Sequence, residues 1–261
     1  MEKLLVIKIG GNIIDDADKC ASFLRDFAAL PYRKILVHGG GVMATRLAET
    51  MGIQQNLVEG RRITDAETLK VITMVYAGYV NKSIVAKLQS LNCNAAGFTG
   101  ADANLIMAHK RTNAAIDYGF VGDIDKVNTE FLINLFEQGI TPVVAPVTHD
   151  GKGQLLNTNA DTIAQEVAKS LSTLFHVSLI YCFEKEGVLK DVSDDKTVIS
   201  RIDATTYESL QRRQVIHSGM IPKLNNAFIA LQQGVGSVTI GKAESITLLV
   251  DQKAGTSIVH G

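Results

Sequence analysis

Two short apolar runs in this chain close on glycine turns, one at Lys8-Ile9-Gly10-Gly11 and the other at His38-Gly39-Gly40-Gly41. Without a Cβ, such turns let backbone N–H groups approach an anion closely, although glycine after a strand can equally be plain turn chemistry. Lys8 sharpens the first case. It sits near the end of a run that reads as a buried strand, where an ammonium is costly unless an anion is nearby.

Three further groups fit the same chemistry. Lys223 falls in the first turn of a helix announced by Gly219 and Pro222, so its ammonium and the helix N-terminal N–H groups could serve one anion. The plainer alternative is a solvated surface lysine. Asn157-Thr158-Asn159-Ala160-Asp161 puts two amides and a carboxylate at a strand-to-helix junction. There Asn159 or Asp161 could be only a cap, or Asp161 could be a fixed acceptor between two lysines. Arg61-Arg62 offers guanidinium forks suited to a carboxylate, with Arg61 equally readable as a surface residue.

Other anion-handling motifs are missing. There is no G-x-x-x-x-G-K-[ST] and no G-x-G-x-x-G, which disfavours a P-loop enzyme and a standard dehydrogenase. His38-Gly39-Gly40-Gly41 looks like the oxyanion loop of some esterases, but no G-x-S-x-G nucleophile elbow accompanies it.

The elements that must carry these residues alternate. Strands are expected at Leu4 to Ile9, Lys34 to His38, Pro142 to Pro146, Leu174 to Cys182 and Val238 to Ile240. Between them the apolar spacing predicts helices at Ala17 to Leu30, Val42 to Met51, Glu130 to Gln138, Asp161 to Leu171, Ala204 to Gln211 and Pro222 to Gln233. Thr64-Asp65-Ala66-Glu67 has the form of a capping box opening a long helix to Leu91, with Ile72 to Val80 apolar nearly all round and suited to burial against a sheet or a second subunit. Ala95 to Thr99, Leu105 to His109 and Phe120 to Ile124 read as hairpin strands. The whole predicts an α/β fold, a mainly parallel central sheet with helices on both faces and ligands at the carboxyl ends of the strands.

With 261 residues, 46% of them hydrophobic, the chain can build one large domain or two fused lobes. A net charge of -1 gives no field to recruit nucleic acid. No run approaches the ~20 apolar residues of a membrane span. Cys20, Cys93 and Cys182 match no metal-ligand spacing, so free thiols in the cytoplasm and no protein-held metal are the expectation.

Taken together and in order, Lys8-Ile9-Gly10-Gly11, His38-Gly39-Gly40-Gly41, Arg62-Ile63-Thr64, Asn157-Thr158-Asn159-Ala160-Asp161 and Gly219-Met220-Ile221-Pro222-Lys223 resemble the amino acid kinase family. The resemblance implies a three-layer αβα sandwich, with residues 1–173 binding an acylated amino acid and dimerising, and residues 174–261 binding ATP. It implies Mg²⁺ carried largely by the nucleotide, and phosphorylation of the side-chain carboxylate of N-acetyl-L-glutamate in arginine biosynthesis. By the same resemblance Lys8 and Lys223 flank the transferring phosphoryl group and Asp161 organises them. Gly10 and Gly11 contact the phosphates, Gly40 and Gly41 the substrate, Arg62 its α-carboxylate and Asn157 its acylamino end. Glu184, Gly187, Leu189, Val215, Ile216 and His217 occupy the nucleotide positions.

Departures from the family pattern are local. Phe183-Glu184-Lys185-Glu186-Gly187 stands where a Ser-Asp or Thr-Asp pair is usual, and Ser218 where an acidic residue or glycine is common. Arg61 replaces an apolar residue and suggests a second carboxylate on the substrate, making N-succinyl-L-glutamate the alternative. Relatives inhibited by arginine carry a helix ahead of the first strand; with that strand starting at Leu4, a homodimer without arginine feedback is expected. Another family member, or a non-catalytic sensor of glutamate derivatives, are the remaining readings.

Overall fold

The computed structural model describes residues 1–58, 61–112, 116–213, 215–216 and 220–260. At its centre the Lys3–Ile9 strand pairs in parallel with Arg33–His38 on one side and His176–Phe183 on the other. The sheet has eight strands in the order Arg201–Ile202, Thr256–Ile258, Ser237–Lys242, His176–Phe183, Lys3–Ile9, Arg33–His38, Thr141–Val144 and Ala95–Phe98. The last six run the same way, and the first two are reversed at one edge.

The near-continuous apolar runs of the central strands follow from burial on both faces. Side chains alternate along a strand, so Leu4 and Val6 join one core with Ile35, Val37, Val177 and Leu179, while Leu5, Ile7 and Ile9 join another with Leu36, Ile180 and Cys182. The first core is roofed by the helices Thr129–Glu137, Ala160–Leu171, Ala204–Arg212 and Ile221–Gln232, and the second by Ala17–Ala29, Gly41–Thr50, the long helix from Ala66 and Ile246–Val250. This is the three-layer αβα sandwich expected from the sequence. The parity has a consequence for Lys8: it lies on the face of Leu4 and Val6, beneath the helices that carry Asp161 and Lys223.

A second sheet orders Leu155–Asn157, Val147–His149, Ile106–Lys110 and Gly122–Val127, and contains the hairpin expected in that region. Ala95–Phe98, read from sequence as part of it, instead extends the main sheet beside Thr141–Val144. Leu57–Val58 and Arg61–Arg62 make a two-residue ladder of their own.

The capping box takes another form. Asp65, not Thr64, is the N-cap, accepting from Thr68 N at 2.7 Å, while the Thr64 hydroxyl donates to Arg62 O and Glu67 pairs with Lys70. Thr64 is drawn out of the cap by its backbone, which donates to Tyr118 O and accepts from Phe120 N. The long helix changes winding, α over Ala66–Thr73, π over Met74–Val80 and α again over Asn81–Ser90. Its apolar middle is not wholly covered within one chain, since Met74 and Tyr79 are 52% and 66% exposed. Among the described residues no helix is long and apolar enough to cross a membrane.

Candidate active site

The parity of the first strand sends Lys8 toward the first turn of the Ala160–Leu171 helix. There Asn159 caps the helix, its side chain accepting from Asp161 N at 2.8 Å and Thr162 N at 3.3 Å. With the cap supplied by Asn159, the Asp161 carboxylate is free for other partners. Lys8 Nζ lies 2.7 Å from its Oδ1 and Lys223 Nζ 2.5 Å from its Oδ2, one ammonium on each oxygen. Tyr181 donates to the Asp161 carbonyl at 3.3 Å and holds the turn from below.

Burial alone would raise the Asp161 carboxyl, but the ammoniums of Lys8 and Lys223 outweigh it and hold the group far below the usual carboxylate range. Lys8 is lowered, chiefly by desolvation and further by Lys223, with Asp161 acting against both. Three formal charges thus sum to +1 in a buried place, an arrangement that an added anion would improve.

The glycine turns lie beside this cluster. Register sets Ile9 opposite both His38 and Cys182, so the ends of the three central strands are level. Gly10 N donates to Cys182 O and Gly39 N to Ile9 O, both at 3.1 Å. The two turns abut: a Cβ on Gly39 would sit 3.2 Å from Gly11 N, and one on Gly11 would sit 3.4 Å from both Gly40 N and Gly41 N. Gly40 has φ +153°, and a side chain there would meet the Tyr76 ring at 3.0 Å, so this position admits only glycine. These turns form the kind of bare backbone cradle that a phosphate or carboxylate fits.

A cavity of about 200 Å³ opens from the turns and is lined by Gly39 to Gly41, Tyr76, Arg62, Asn157 and the start of the Asp161 helix. Arg62 is buried there and aimed by its partners, donating to Gly41 O at 3.0 Å and Thr45 Oγ1 at 2.8 Å, and also to Gln55 Oε1. Asn157 donates to Thr64 Oγ1 at 3.0 Å, which ties it through Thr64 to Arg62. Arg111 and Tyr76 also line the cavity and were not foreseen. Arg111 is locked by Asp123, to which it is bidentate, and stands over the Tyr118 ring. Nothing in the local sequence marks it, because the pairing is made across a hairpin.

The described residues among the expected nucleotide positions do not line this cavity. Glu184 directly follows the His176–Phe183 strand. Gly187 is packed closely, since a Cβ would lie 2.7 Å from Thr256 Oγ1. Leu189 is buried and bridges Val198, while Ile216 is buried in the core and Val215 packs against it. Glu186 is paired with Lys242 at 3.0 Å. His217, like Ser218 and Gly219 and the side chain of Arg61, lies outside the described residues. Among the described residues no group of three or more His, Cys, Asp or Glu side chains could hold a metal ion.

Comparison with known proteins agrees with this picture. The description "Amino acid kinase family" fits residues 3–242. Over 262 residues the chain is 57% identical to the acetylglutamate kinase of Cytophaga hutchinsonii, with 99% of each chain covered. It is 56% identical to the acetylglutamate kinase of Phocaeicola vulgatus over 94% of this chain and 95% of that one. Among solved structures, N-acetylglutamate synthase from Neisseria gonorrhoeae, complexed with coenzyme A and N-acetyl-glutamate, superposes with a TM-score of 0.83 at 23% identity. That match covers 98% of this chain and 59% of the other, and is a likeness of fold.

Proposed function

The chain belongs to the amino acid kinase family, and we propose that it transfers the γ-phosphoryl group of ATP to the side-chain carboxylate of N-acetyl-L-glutamate, a step of arginine biosynthesis. The observation that carries the chemistry is the pair of lysines held on one carboxylate beside two abutting glycine turns. The acetylglutamate kinases that the chain resembles support the choice of substrate.

In this reading the substrate occupies the cavity, with Arg62 on the α-carboxylate, Asn157 on the acylamino end, and Gly40 and Gly41 beside the reacting carboxylate. Gly10 and Gly11 face the phosphates, and residues 174–261 with Glu184, Gly187, Leu189, Val215, Ile216 and His217 hold the nucleotide, while residues 1–173 form the substrate lobe. A carboxylate with a pKa of about 4.3 is ionised at neutral pH, so no general base is required. Its oxygen forms the new bond to phosphorus, the bond to the ADP oxygen breaks, and an acyl phosphate and ADP result. Lys8 and Lys223 neutralise charge on the transferring and leaving oxygens, and Asp161 keeps them in position. Mg²⁺, carried on the nucleotide phosphates, would add to that neutralisation.

The acyl phosphate gives the reading a direct test. With hydroxylamine present, ATP and N-acetyl-L-glutamate should yield the γ-hydroxamate in step with ADP; ADP without hydroxamate would mean that water, not the carboxylate, accepts the phosphoryl group. N-succinyl-L-glutamate is a second reading, because Arg111, though paired with Asp123, brings a second guanidinium to the cavity wall beside Arg62. A higher kcat/KM for the acetyl substrate in the same assay removes that reading.

A homodimer would cover Met74 and Tyr79 on the long helix. Sedimentation should give twice the chain mass, and Tyr79→Glu should halve it; a monomeric native protein ends the idea. A cytoplasmic setting fits the three free cysteines Cys20, Cys93 and Cys182.

A further inference from the structure

His38 ends the second strand, and the chemistry above gives it no part. It is fully buried, and Asn81, which it meets, is 1% exposed. His38 Nδ1 lies 2.7 Å from Gly39 O and Nε2 lies 3.1 Å from Asn81 Nδ2, which is itself 3.0 Å from Val143 O. A carbonyl only accepts, so Nδ1 carries the proton and donates to Gly39 O. Nε2 then has a lone pair, which takes one Asn81 N–H while the other goes to Val143 O. Turning the amide over would set its oxygen against two acceptors, so one arrangement pairs both N–H groups, with Asn81 Oδ1 buried and without a hydrogen-bond partner among the described residues. Burial pushes the His38 pKa down to about 4, so the imidazole stays neutral at neutral pH.

The bond acts on a peptide held on both sides, by Gly39 N on Ile9 O and by Ala44 N on Gly40 O, while its own C=O and N–H lie between two glycines. With no Cβ on either side, side-chain sterics alone do not choose its orientation. In a trans peptide the C=O and N–H point in opposite directions, so holding Gly39 O on His38 aims Gly40 N–H the other way. That way leads to Gly11: Gly40 N is 3.4 Å from where a Gly11 Cβ would be, at the mouth of the cavity. We infer that His38 and Asn81 are positioning residues, a buried lock that keeps the Gly39–Gly40 peptide turned with its N–H toward the reacting carboxylate.

One distant element departs from regular geometry at this contact, and another makes room for it. Tyr76 and Asn81 are five residues apart, about one turn of π-helix, and the π segment at Met74–Val80 brings the first onto Gly40 and the second onto His38. Gly97, a weakening residue inside the Ala95–Phe98 strand, leaves the room required: a Cβ there would lie 1.8 Å from Asn81 Oδ1.

The inference rests on the proposed role of Gly40, and the test separates the two. Wild-type turnover of N-acetyl-L-glutamate is measured first; its absence would strike the function and leave the lock to be judged by spectroscopy. His38→Leu should lose about 10²-fold in kcat with KM for ATP unchanged, the scale of one misdirected N–H donor. His38→Asn, whose amide can still donate to Gly39 O, should stay within about tenfold of wild type. Equal kcat losses in both variants, or full kcat per folded His38→Leu molecule, would overturn the lock. Nitrogen-15 spectra of histidine-labelled wild type should assign His38 to the neutral Nδ1–H tautomer whether or not the variants fold, and an Nε2–H assignment would likewise overturn it.

Discussion

Asp161→Asn is expected to cut kcat by about 10²–10³-fold and to cost about 3–5 kcal/mol of stability, because it leaves two ammoniums facing a neutral amide in a buried place. Each Asp161 oxygen holds one of them, at 2.7 Å and 2.5 Å, and the Asn side chain can accept from only one side. Two measurements check the cause. Nucleotide phosphates bring the missing negative charge, so ATP should raise the Tm of the variant more than that of wild type. Acid should also act differently. Asp161 has a folded pKa below its unfolded value, so the unfolded chain binds the extra proton between the two. Its stabilisation is therefore full above the normal carboxylate range and fades as pH falls through and below about 4. Asp161→Asn should flatten that limb of the stability curve, and a variant with unchanged acid sensitivity would show that the carboxylate is not what holds the lysines.

Lys8→Met is expected to separate activity from stability. The ammonium is lowered first by burial, so the fold tolerates its charge at a cost. Methionine keeps much of the volume and leaves the Lys223 pair with Asp161 intact. The midpoint of denaturation should stay the same or rise, while kcat falls by about 10³-fold through loss of a cation at the transferring group. A fall in stability with kcat retained would make Lys8 a structural residue and remove it from the mechanism.

What the sequence disclosed follows from local physics. The apolar runs at Leu4 and Ile35 read as buried parallel strands, and Lys8 stood out because an ammonium does not belong in such a run. Asn159 and Asp161 were ambiguous as caps, and only the hydrogen bonds divide the work between them. Contacts that close through distant segments left no trace: His38 meets Asn81 across 43 positions, and Asn157 meets Thr64 across 93. Arg201–Ile202 and Thr256–Ile258 are too short to carry a periodic signal, and the reversed edge of the sheet was accordingly missed. The π segment was hidden for another reason, since its seven residues have an ordinary apolar helical composition and the extra residue per turn is fixed by what Tyr76 and Asn81 touch.

Two lysines on one carboxylate, set beside paired glycine turns, form the site proposed to transfer a phosphoryl group from ATP to an acylated glutamate. The most direct test is ADP release with MgATP and N-acetyl-L-glutamate, run beside free glutamate and N-succinyl-L-glutamate, with Lys8→Met as the control. Turnover that requires an acylated substrate and falls by about 10³-fold in Lys8→Met is the predicted result. Folded wild-type protein that releases no ADP with any of the three, or a Lys8→Met protein as active as wild type, would contradict it.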